Sequence, residues 1–547
     1  MPDFPLVPDR ARLMAHIGEF AKRVKLSGTP EERESFGYLE HQMASFGYAT
    51  QLLEHDAYIS LPGKARVVVD GAEIRCITHS MSVSSPMEGL TAGLICGGGG
   101  EAADFARIDA HGRIVLIDGI ATEEVADRAR IHGAAGLIHV SPNERLYEMC
   151  VSPVWGSPSQ HTRGQLPTAV ICTIPASDGE VLRRRCLAGE QVSVTLWASV
   201  DTRWRKTPIL VAELAAPGEE GESDAPFVLF SGHHDTWHFG VMDNGGANAT
   251  MLEAARLLAE QHTVWRRGLR ICFWSGHSHG RYSGSAWYAD EHWDELDRRC
   301  VAHVNVDSTG GEGASVLTNS AVIDELKSVA TEAIQSFWGV GLPSMFGSLS
   351  HQPPGPVRMP TALGWWWHTP EDTIEHIDAD NLVRDTRIVL RVLSRLLTDR
   401  VLPLDFAATA DALTTELSML RSALGDRFDI AGLVEAAERL ATAAENVNRQ
   451  AAGADDAEAH TINTALMRVS RMLVPLNYTR GDRFRHDSAL PHTPWPSLDG
   501  LRELAATRAP EDIPFHVVHA RQCRNRVTHT LHQAHTVLQA VSTSSAG

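Results

Sequence analysis

FVLFSGHHDTWHFGVMDNGGANA, residues 227–249, joins a short apolar run to a group of polar residues and then to a segment with helical periodicity. The apolar residues 227–230 predict a buried strand, and residues 246–261 predict a helix. The alternation continues to about residue 400, with predicted strands at 269–274 and 301–306 and predicted helices at 284–297, 321–336 and 380–398. This pattern indicates an α/β domain with a mostly parallel sheet and helices on both faces.

Composition and periodicity divide the chain into four regions. Residues 1–59 are predicted to form an N-terminal segment, helical over residues 8–55, that packs on the α/β domain. Residues 60–205 contain short β-rich runs, glycines and one helix, which indicates a small inserted α/β domain. The main α/β domain spans 206–402, and residues 403–547 are predicted to form a C-terminal helical domain.

Charge and composition restrict the partners and the cellular location that we expect for the protein. The 547 residues carry a formal net charge of −19, which opposes binding to nucleic acid. No apolar run reaches the ~18 residues of a membrane span, and the first residues lack the layout of a signal peptide. We therefore expect a cytoplasmic protein with no membrane or nucleic-acid partner. The eight scattered cysteines are predicted to be free, buried thiols.

Polar residues that suit metal binding follow the first predicted strand and begin the first predicted helix. His233 ends the strand, and Asp235 points the same way along an extended backbone, where it is placed to orient the imidazole. Asp243 precedes the helix, where a carboxylate either bridges two metal ions or simply caps the helix. Ligand sites in such sheets gather at the carboxyl ends of the strands.

Two later residues complete this set. Asp307 ends the apolar run 301–306, and His368 lies in WWWHTPEDT, residues 365–373, where a buried core histidine is the structural alternative. The ordered series of histidine, aspartate, aspartate and histidine supplies nitrogen and oxygen donors that suit zinc or a similar divalent ion. Taken together, the four residues predict a metal site.

These motifs resemble those of the two-zinc exopeptidase family that contains leucyl aminopeptidases, glutamate carboxypeptidase and the transferrin receptor. The resemblance covers essentially the full length, with a protease-associated domain at 60–205 and a transferrin-receptor-like helical domain at 403–547. It implies a zinc exopeptidase-like fold and a homodimer formed through the helical domain. It also implies these roles: one metal bound by His233 and Asp307, a bridging Asp243, a second metal bound by His368, and an orienting Asp235.

The segment FWSGHSHGRYSGS, residues 273–285, departs from the family pattern. Family members carry Trp-Asp-Ala-Glu-Glu here, and the first glutamate is the general base while the second binds the second metal. Aligned from Trp274, these positions are His277 and Ser278. Aligned backwards from the following Gly-Ser, they become Ser278 and His279, because this chain has one extra residue. Either alignment leaves a histidine available as a metal ligand or as a general base.

We therefore expect a metal-dependent hydrolase of an amide or peptide-type C–N bond, with metal-activated water as the nucleophile and His277 or His279 replacing the glutamate. A neutral ligand in place of a carboxylate leaves more positive charge on the metal centre. This change favours hydrolysis without a glutamate base, a shift from zinc toward iron or manganese, or a single-metal site. Two alternatives remain: a metal-dependent enzyme of another class, such as a lyase or an iron-type catalyst, and a non-catalytic receptor-like protein.

Residues near the site in sequence suggest how a small-molecule or short peptide-like substrate is bound. Arg281 and Tyr282 are the candidate substrate-binding residues, and a proline-rich loop with His351 and Arg358 is a candidate lining. The arginines suit an anionic substrate group, although surface arginines without such a role are as common. The tryptophan run 365–367 forms either an aromatic wall or part of the core.

Overall fold

The computed structural model describes residues 6–222, 224–316, 324–326, 344–353 and 362–544. Its α-helices are α1 (Arg10–Phe20), α2 (Pro30–Ser45), α3 (Ala102–Phe105), α4 (Glu123–Ile131), α5 (Ala176–Leu187), α6 (Ala247–Ala259), α7 (Ser283–Glu291), α8 (Trp293–Arg299), α9 (Ala379–Thr398), α10 (Phe406–Leu424), α11 (Ala431–Ala451), α12 (Asp456–Tyr478), α13 (Asp499–Ala506) and α14 (Ile513–Ser544). Its strands are β1 (Ala49–Val69), β2 (Ala72–Ile74), β3 (Ile77–Thr78), β4 (Leu90–Cys96), β5 (Ile114–Asp118), β6 (Gly136–Val140), β7 (Val170–Ile174), β8 (Ser193–Leu214), β9 (Phe227–His233), β10 (Gly268–Trp274), β11 (Cys300–Asp307) and β12 (Ser344–Ser348).

The described strands form one sheet in the order β12-β11-β9-β10-β8-β4-β5-β6-β7-β3, and β1 pairs with β2 and β8. β9, β10, β11 and β12 are parallel to one another, whereas β8 runs antiparallel to β10 at their edge. β4 to β7 form a second parallel group. The predicted α/β fold with a mostly parallel sheet is therefore confirmed.

Two long strands connect the two parallel groups. β1 and β8 span 21 and 22 residues and pair antiparallel along most of their length, with one irregularity between Pro62 and Ala65. Both strands run through the predicted boundaries at 59/60 and 205/206. The region between these boundaries is thus attached through continuous strands, and the boundaries themselves stay predictions.

The N-terminal region is only partly helical. α1 and α2 lie within it, and the Thr29 side chain caps α2 by accepting a hydrogen bond from the backbone N–H of Glu32 at 3.4 Å. From Ala49 onward, however, the chain belongs to β1, so the helical prediction was wrong for residues 49–55. The prediction failed because this segment forms its backbone hydrogen bonds with β8, which is far away in sequence. Buried side chains alternate here with the period of a strand, at His55, Ala57 and Ile59.

Helices cover both faces of the sheet around β8, β9 and β10. Leu210 and Ala212 of β8 contribute to a core shared with α1, α2, α6 and α9, whereas Ile209 and Val211 pack in a core with α7 and α8. This alternation is what successive residues of a strand produce. The helix predicted at 321–336 lies mostly outside the described residues, of which Asp324–Leu326 form a 3-10 turn.

The chain after residue 403 forms α10 to α14, as the apolar periodicity predicts. Their inner faces share a continuous core with the α/β domain, to which Leu417, Leu440, Leu473 and Leu531 contribute. Within the described part of the chain, no helix combines the length and the apolar character needed to cross a bilayer.

Candidate metal centre

β9 and β11 end at the same edge of the sheet and place polar residues there. His233 is the last residue of β9, in register with Trp274 of β10, and Asp307 is the last residue of β11. Asp243 lies in the turn that leads into α6. The carboxyl ends of parallel strands therefore bring these side chains together, as the sequence predicts.

The His233 imidazole lies at the centre of this group. Its Nδ1 lies 2.8 Å from the backbone carbonyl oxygen of Asp235, so Nδ1–H donates to that carbonyl and Nε2 faces the cluster. Nε2 is buried without a hydrogen-bond partner, and it lies 3.2 Å from Oδ1 of Asp243 and 3.6 Å from Oδ1 of Asp307. Asp235 thus orients His233, but through its backbone carbonyl, because its carboxylate is 3.7 Å away.

The charges around His233 favour a cation. Burial alone would lower the pKa of His233, but Asp307, Asp235 and Asp243 raise it well above its ordinary value. Among the described residues, no lysine or arginine forms an ion pair with Asp243 or Asp307. An unpartnered ring nitrogen beside two carboxylates that lack a counter-charge fits a divalent metal ion.

Asp243 is held so that its two oxygens face in different directions. The backbone N–H groups of Met242 and Asp243 donate to the Asp372 carboxylate at 2.8 and 3.1 Å, which fixes the turn. Oδ1 of Asp243 faces His233, whereas Oδ2 lies 3.3 Å from Nε2 of His368 and accepts a 2.7 Å hydrogen bond from Nε1 of Trp367. The carboxylate therefore stands between the two histidines, as a bridging residue would.

His368 is oriented by the inserted region. Its Nδ1 lies 2.6 Å from the backbone carbonyl oxygen of Glu148, and the Glu148 N–H donates to the His368 carbonyl at 3.1 Å. Burial raises the pKa of the Glu148 side chain to about 7, and its Oε2 lies 3.6 Å from Nε2 of His238. Residues 60–205 thus take part in building the site.

His277 joins the cluster, and Asp235 fixes the loop that carries it. The rings of His277 and His233 are stacked with centroids 3.8 Å apart, and one ligand atom from each of His233, His277 and Asp307 lies within 4.8 Å of the others. The N–H groups of His277 and Ser278 donate to the Asp235 carboxylate at 3.2 and 2.9 Å. Burial would raise the pKa of Asp235, but the nearby His233 imidazole lowers it below its usual range.

His279 lies outside this cluster. Its Nδ1 is 3.0 Å from Oγ of Ser27 and 4.0 Å from Oδ2 of Asp235. The Trp237 ring lies beside both His279 and His368, with centroid distances of 4.3 and 5.3 Å. Of the two alignments, the structure thus favours the one from Trp274, which places His277 and not His279 in the glutamate position.

The two candidate substrate-binding residues face different surroundings. Arg281 forms an ion pair with Glu123 of α4, and its guanidinium is therefore already neutralised by the inserted region. Tyr282 lies edge-on to His277, with ring centroids 4.5 Å apart, and stacks on Trp155 at 4.1 Å. The structure thus brings Tyr282, rather than the charge of Arg281, next to the cluster.

The tryptophan run 365–367 and the proline-rich loop were the other candidates for lining the site. Trp366 and Trp367 are buried, which agrees with core packing, and Trp367 also contacts Asp243. Trp365 is partly exposed beneath the guanidinium of Arg145, 3.8 Å from the ring centroid. The carbonyl of His351 accepts backbone hydrogen bonds from residues 315 and 316, and Arg358 lies outside the described residues.

Sequence reasoning missed several residues that hold the site together. Asp372 and Asn248 lie inside the quoted motifs, and Asn248 donates to the His233 carbonyl at 2.7 Å. Ser27, which donates to Asp235 at 2.7 Å, lies two residues before Thr29, the cap of α2. Glu148 and Trp155 belong to the inserted region, where no local pattern distinguishes them.

Comparison with known proteins gives the class to which this site belongs. Residues 211–393 match the sequence profile of Peptidase family M28, so this part of the α/β domain is similar to that family. Its relatives include a probable glutamate carboxypeptidase (LAMP1) of Arabidopsis thaliana, 24% identical over 289 residues, and Aminopeptidase YwaD of Bacillus subtilis, 25% identical over 381 residues. These matches cover 46% and 65% of this chain, but 42% and 78% of the two relatives.

Solved structures support the same fold. A zinc aminopeptidase from Bacillus subtilis has a TM-score of 0.54 and 21% identity, and the match covers 72% of this chain and 96% of that protein. An aminopeptidase from Aneurinibacillus sp. strain AM-1 has a TM-score of 0.53 and 19% identity, and the match covers 71% and 94%. The predicted resemblance to the zinc exopeptidases is confirmed.

Proposed function

We propose that this protein is a metal-dependent hydrolase of peptide-type C–N bonds, with metal bound at the cluster of His233, Asp243, Asp307 and His277, next to His368. The observation that supports this most directly is Nε2 of His233. This atom is buried without a hydrogen-bond partner and faces two carboxylates that lack a lysine or arginine counter-charge among the described residues. Similarity to an aminopeptidase and to a probable glutamate carboxypeptidase supports the hydrolytic reaction.

The nitrogen and oxygen donors of this site suit zinc. A zinc ion bound here would polarise the substrate carbonyl and lower the pKa of a water molecule. The protein's own part is to hold the ligands in place. Asp235 fixes His233 through its carbonyl and the His277 loop through its carboxylate. Asp372 fixes the Asp243 turn. Hydrolysis then adds water across the C–N bond and releases a carboxylate and an amine.

We propose a small molecule or a short peptide-like compound as the substrate. The inserted region borders the cluster through Glu148 at His368 and through Trp155 beside Tyr282, which supports a small substrate. The rings of Tyr282 and Trp155 would offer an apolar surface next to His277. Arg281 is less suited to bind an anionic substrate, because Glu123 already neutralises it.

The test measures amide hydrolysis by purified protein with amino-acid p-nitroanilides and N-acyl amino acids. We expect turnover of at least one of these classes, its loss after chelation, and its recovery on addition of zinc. His233→Ala should abolish turnover, whereas the matched control His41→Ala, at an exposed position of α2, should not change it. Bound metal without turnover of any amide would favour an enzyme of another class, and protein that binds no metal would favour a receptor-like role.

We further propose a cytoplasmic homodimer formed through the helical region 403–547, with residues 60–205 as a protease-associated domain. The eight free cysteines support a reducing compartment. Exposed apolar side chains on α10 and α14, at Met419, Phe515 and Val518, support an interface on the helical region. Light scattering of the purified protein would measure the mass, and a monomer at micromolar concentration would contradict the dimer.

A further inference from the structure

We propose that this chain binds one metal ion rather than two, with His277 as a ligand beside His233, Asp307 and Oδ1 of Asp243. This inference rests on the proposed function, since it concerns the same site. It assigns to His277 the role of a ligand, and to the His368 side of Asp243 the role of a protein contact without its own metal.

The His233 side of Asp243 offers a complete set of donors. His233, His277 and Asp307 bring one ligand atom each to within 4.8 Å of one another, and Oδ1 of Asp243 lies 3.2 Å from Nε2 of His233. Two imidazoles and two carboxylates make four donors, which is enough to hold one zinc ion, and expansion to five ligands would admit the water that the proposed hydrolysis needs. The stacked rings must turn relative to each other to converge on an ion. His277 is the partly exposed one of the pair, so it has room to turn.

The His368 side of Asp243 offers too few donors. Among the described residues it has Nε2 of His368 and Oδ2 of Asp243, and that oxygen already accepts the 2.7 Å hydrogen bond from Trp367. The side chain that stands next to His277 in the loop is Ser278, whose Oγ is buried without a hydrogen-bond partner. A neutral hydroxyl is a poor substitute for a carboxylate as a zinc ligand.

The charge of the site also favours one metal ion rather than two. Asp243 and Asp307 together carry two negative charges, which neutralise one divalent ion. A second ion would add two positive charges to a buried site that has no further anionic ligand among the described residues. Burial of uncompensated charge is costly, so the second ion should bind much more weakly than the first.

The test counts zinc ions bound to the full-length protein after chelator treatment, reconstitution with zinc alone and dialysis, by elemental mass spectrometry and calorimetric titration. We expect one ion per chain. His277→Ala should weaken binding by about 10–100-fold or more, whereas His41→Ala, which removes an exposed histidine, should leave the affinity unchanged. Ser278→Glu should raise the count to two, and Ser278→Gln, of the same size without the charge, should keep it at one.

Each outcome decides the proposal. Two ions bound to the unmodified protein would overturn it while leaving the proposed hydrolase intact, and so would a His277→Ala variant with unchanged affinity. No bound zinc would overturn both proposals. Because the count for the unmodified chain decides on its own, the proposal stays testable even if Ser278→Glu does not fold.

Discussion

The Asp235 carboxylate accepts hydrogen bonds from three groups in two distant parts of the chain. The N–H groups of His277 and Ser278 and the hydroxyl of Ser27 all donate to it, at 3.2, 2.9 and 2.7 Å. Its backbone carbonyl also holds His233. Asp235 therefore links the strand that carries one candidate ligand to the loop that carries another.

Asp235→Asn should weaken zinc binding by about 10–100-fold, because the amide replaces one accepting oxygen with an NH₂ group that faces N–H donors. Calorimetric titration with zinc measures the change, and circular dichroism checks that the variant is folded. Asp426→Asn, at an exposed position after α10, is the matched control. An unchanged zinc affinity for Asp235→Asn would show that the carboxylate does not position the loop.

The roles of single residues were only partly predictable from the sequence. The ordered set of His233, Asp243, Asp307 and His368 is visible in sequence because each follows a strand-like run or precedes a helical one, and the structure brings all four together. The choice between His277 and His279 was not predictable. It depends on hydrogen bonds to Asp235 that only the folded loop shows.

Helices and strands also differed in how well the sequence predicted them, depending on whether their hydrogen bonds are local or distant in sequence. α6 and α9 begin and end within about two residues of their predicted limits, because their apolar periodicity is local to each segment. The strand character of residues 49–55 was missed, because it arises from pairing with residues of β8 far along the chain. Sequence patterns thus located elements that form their own backbone hydrogen bonds better than a strand that needs a distant partner.

The start of α6 meets the end of β11 at a close backbone contact, which yields an element-level prediction. A Cβ atom added at Gly246 would lie 2.1 Å from the carbonyl oxygen of Thr309. Gly246→Ala must therefore push α6 away from the loop after β11, which moves Asp243 relative to Asp307. We expect the free energy of unfolding to fall by about 1–3 kcal/mol, measured by urea denaturation, together with weaker zinc binding.

The control for this substitution is Gly37→Ala, in an exposed position within α2 where an added Cβ meets no atom within 4 Å. Alanine is a better helix former than glycine, so Gly37→Ala should stabilise the protein by roughly 0.5–1 kcal/mol. Equal effects of the two substitutions would contradict the close contact at Gly246.

The fold buries histidines and carboxyl groups, and these two kinds of group change the stability of the fold in opposite directions as the pH falls. Burial lowers the pKa of a set of histidines to about 3 or 4, so they stay neutral in the fold; these are His16, His55, His79, His139 and His303. Burial raises the pKa of carboxyls to about 6 or 7 at Glu148, Asp372 and Asp385. As the pH falls below neutrality, the histidines destabilise the fold and the carboxyls stabilise it. The two contributions overlap when the stability of the unmodified protein is measured against pH, and variants of single residues separate them.

His79 offers the clearest such variant, because it lies in the inserted region and its neutral ring is fully bonded. Its Nδ1 accepts the N–H of Met149 at 3.2 Å, and its Nε2 lies 2.7 Å from Oγ1 of Thr173. The folded pKa of about 3 lies below the value of about 6.5 for the unfolded chain. Below pH 6.5 the unfolded chain therefore takes up a proton that the fold cannot, and stability that is fully present above pH 6.5 is lost as the pH falls.

His79→Gln removes this proton uptake. The free energy of unfolding of the unmodified protein, minus that of His79→Gln, should fall by up to about 1.4 kcal/mol per pH unit between pH 6.5 and 4. Urea denaturation of metal-free protein at several pH values measures this difference without interference from metal release. The exposed His41→Gln should give a difference that does not vary with pH. A constant difference for His79→Gln as well would mean that His79 is already protonated in the folded protein.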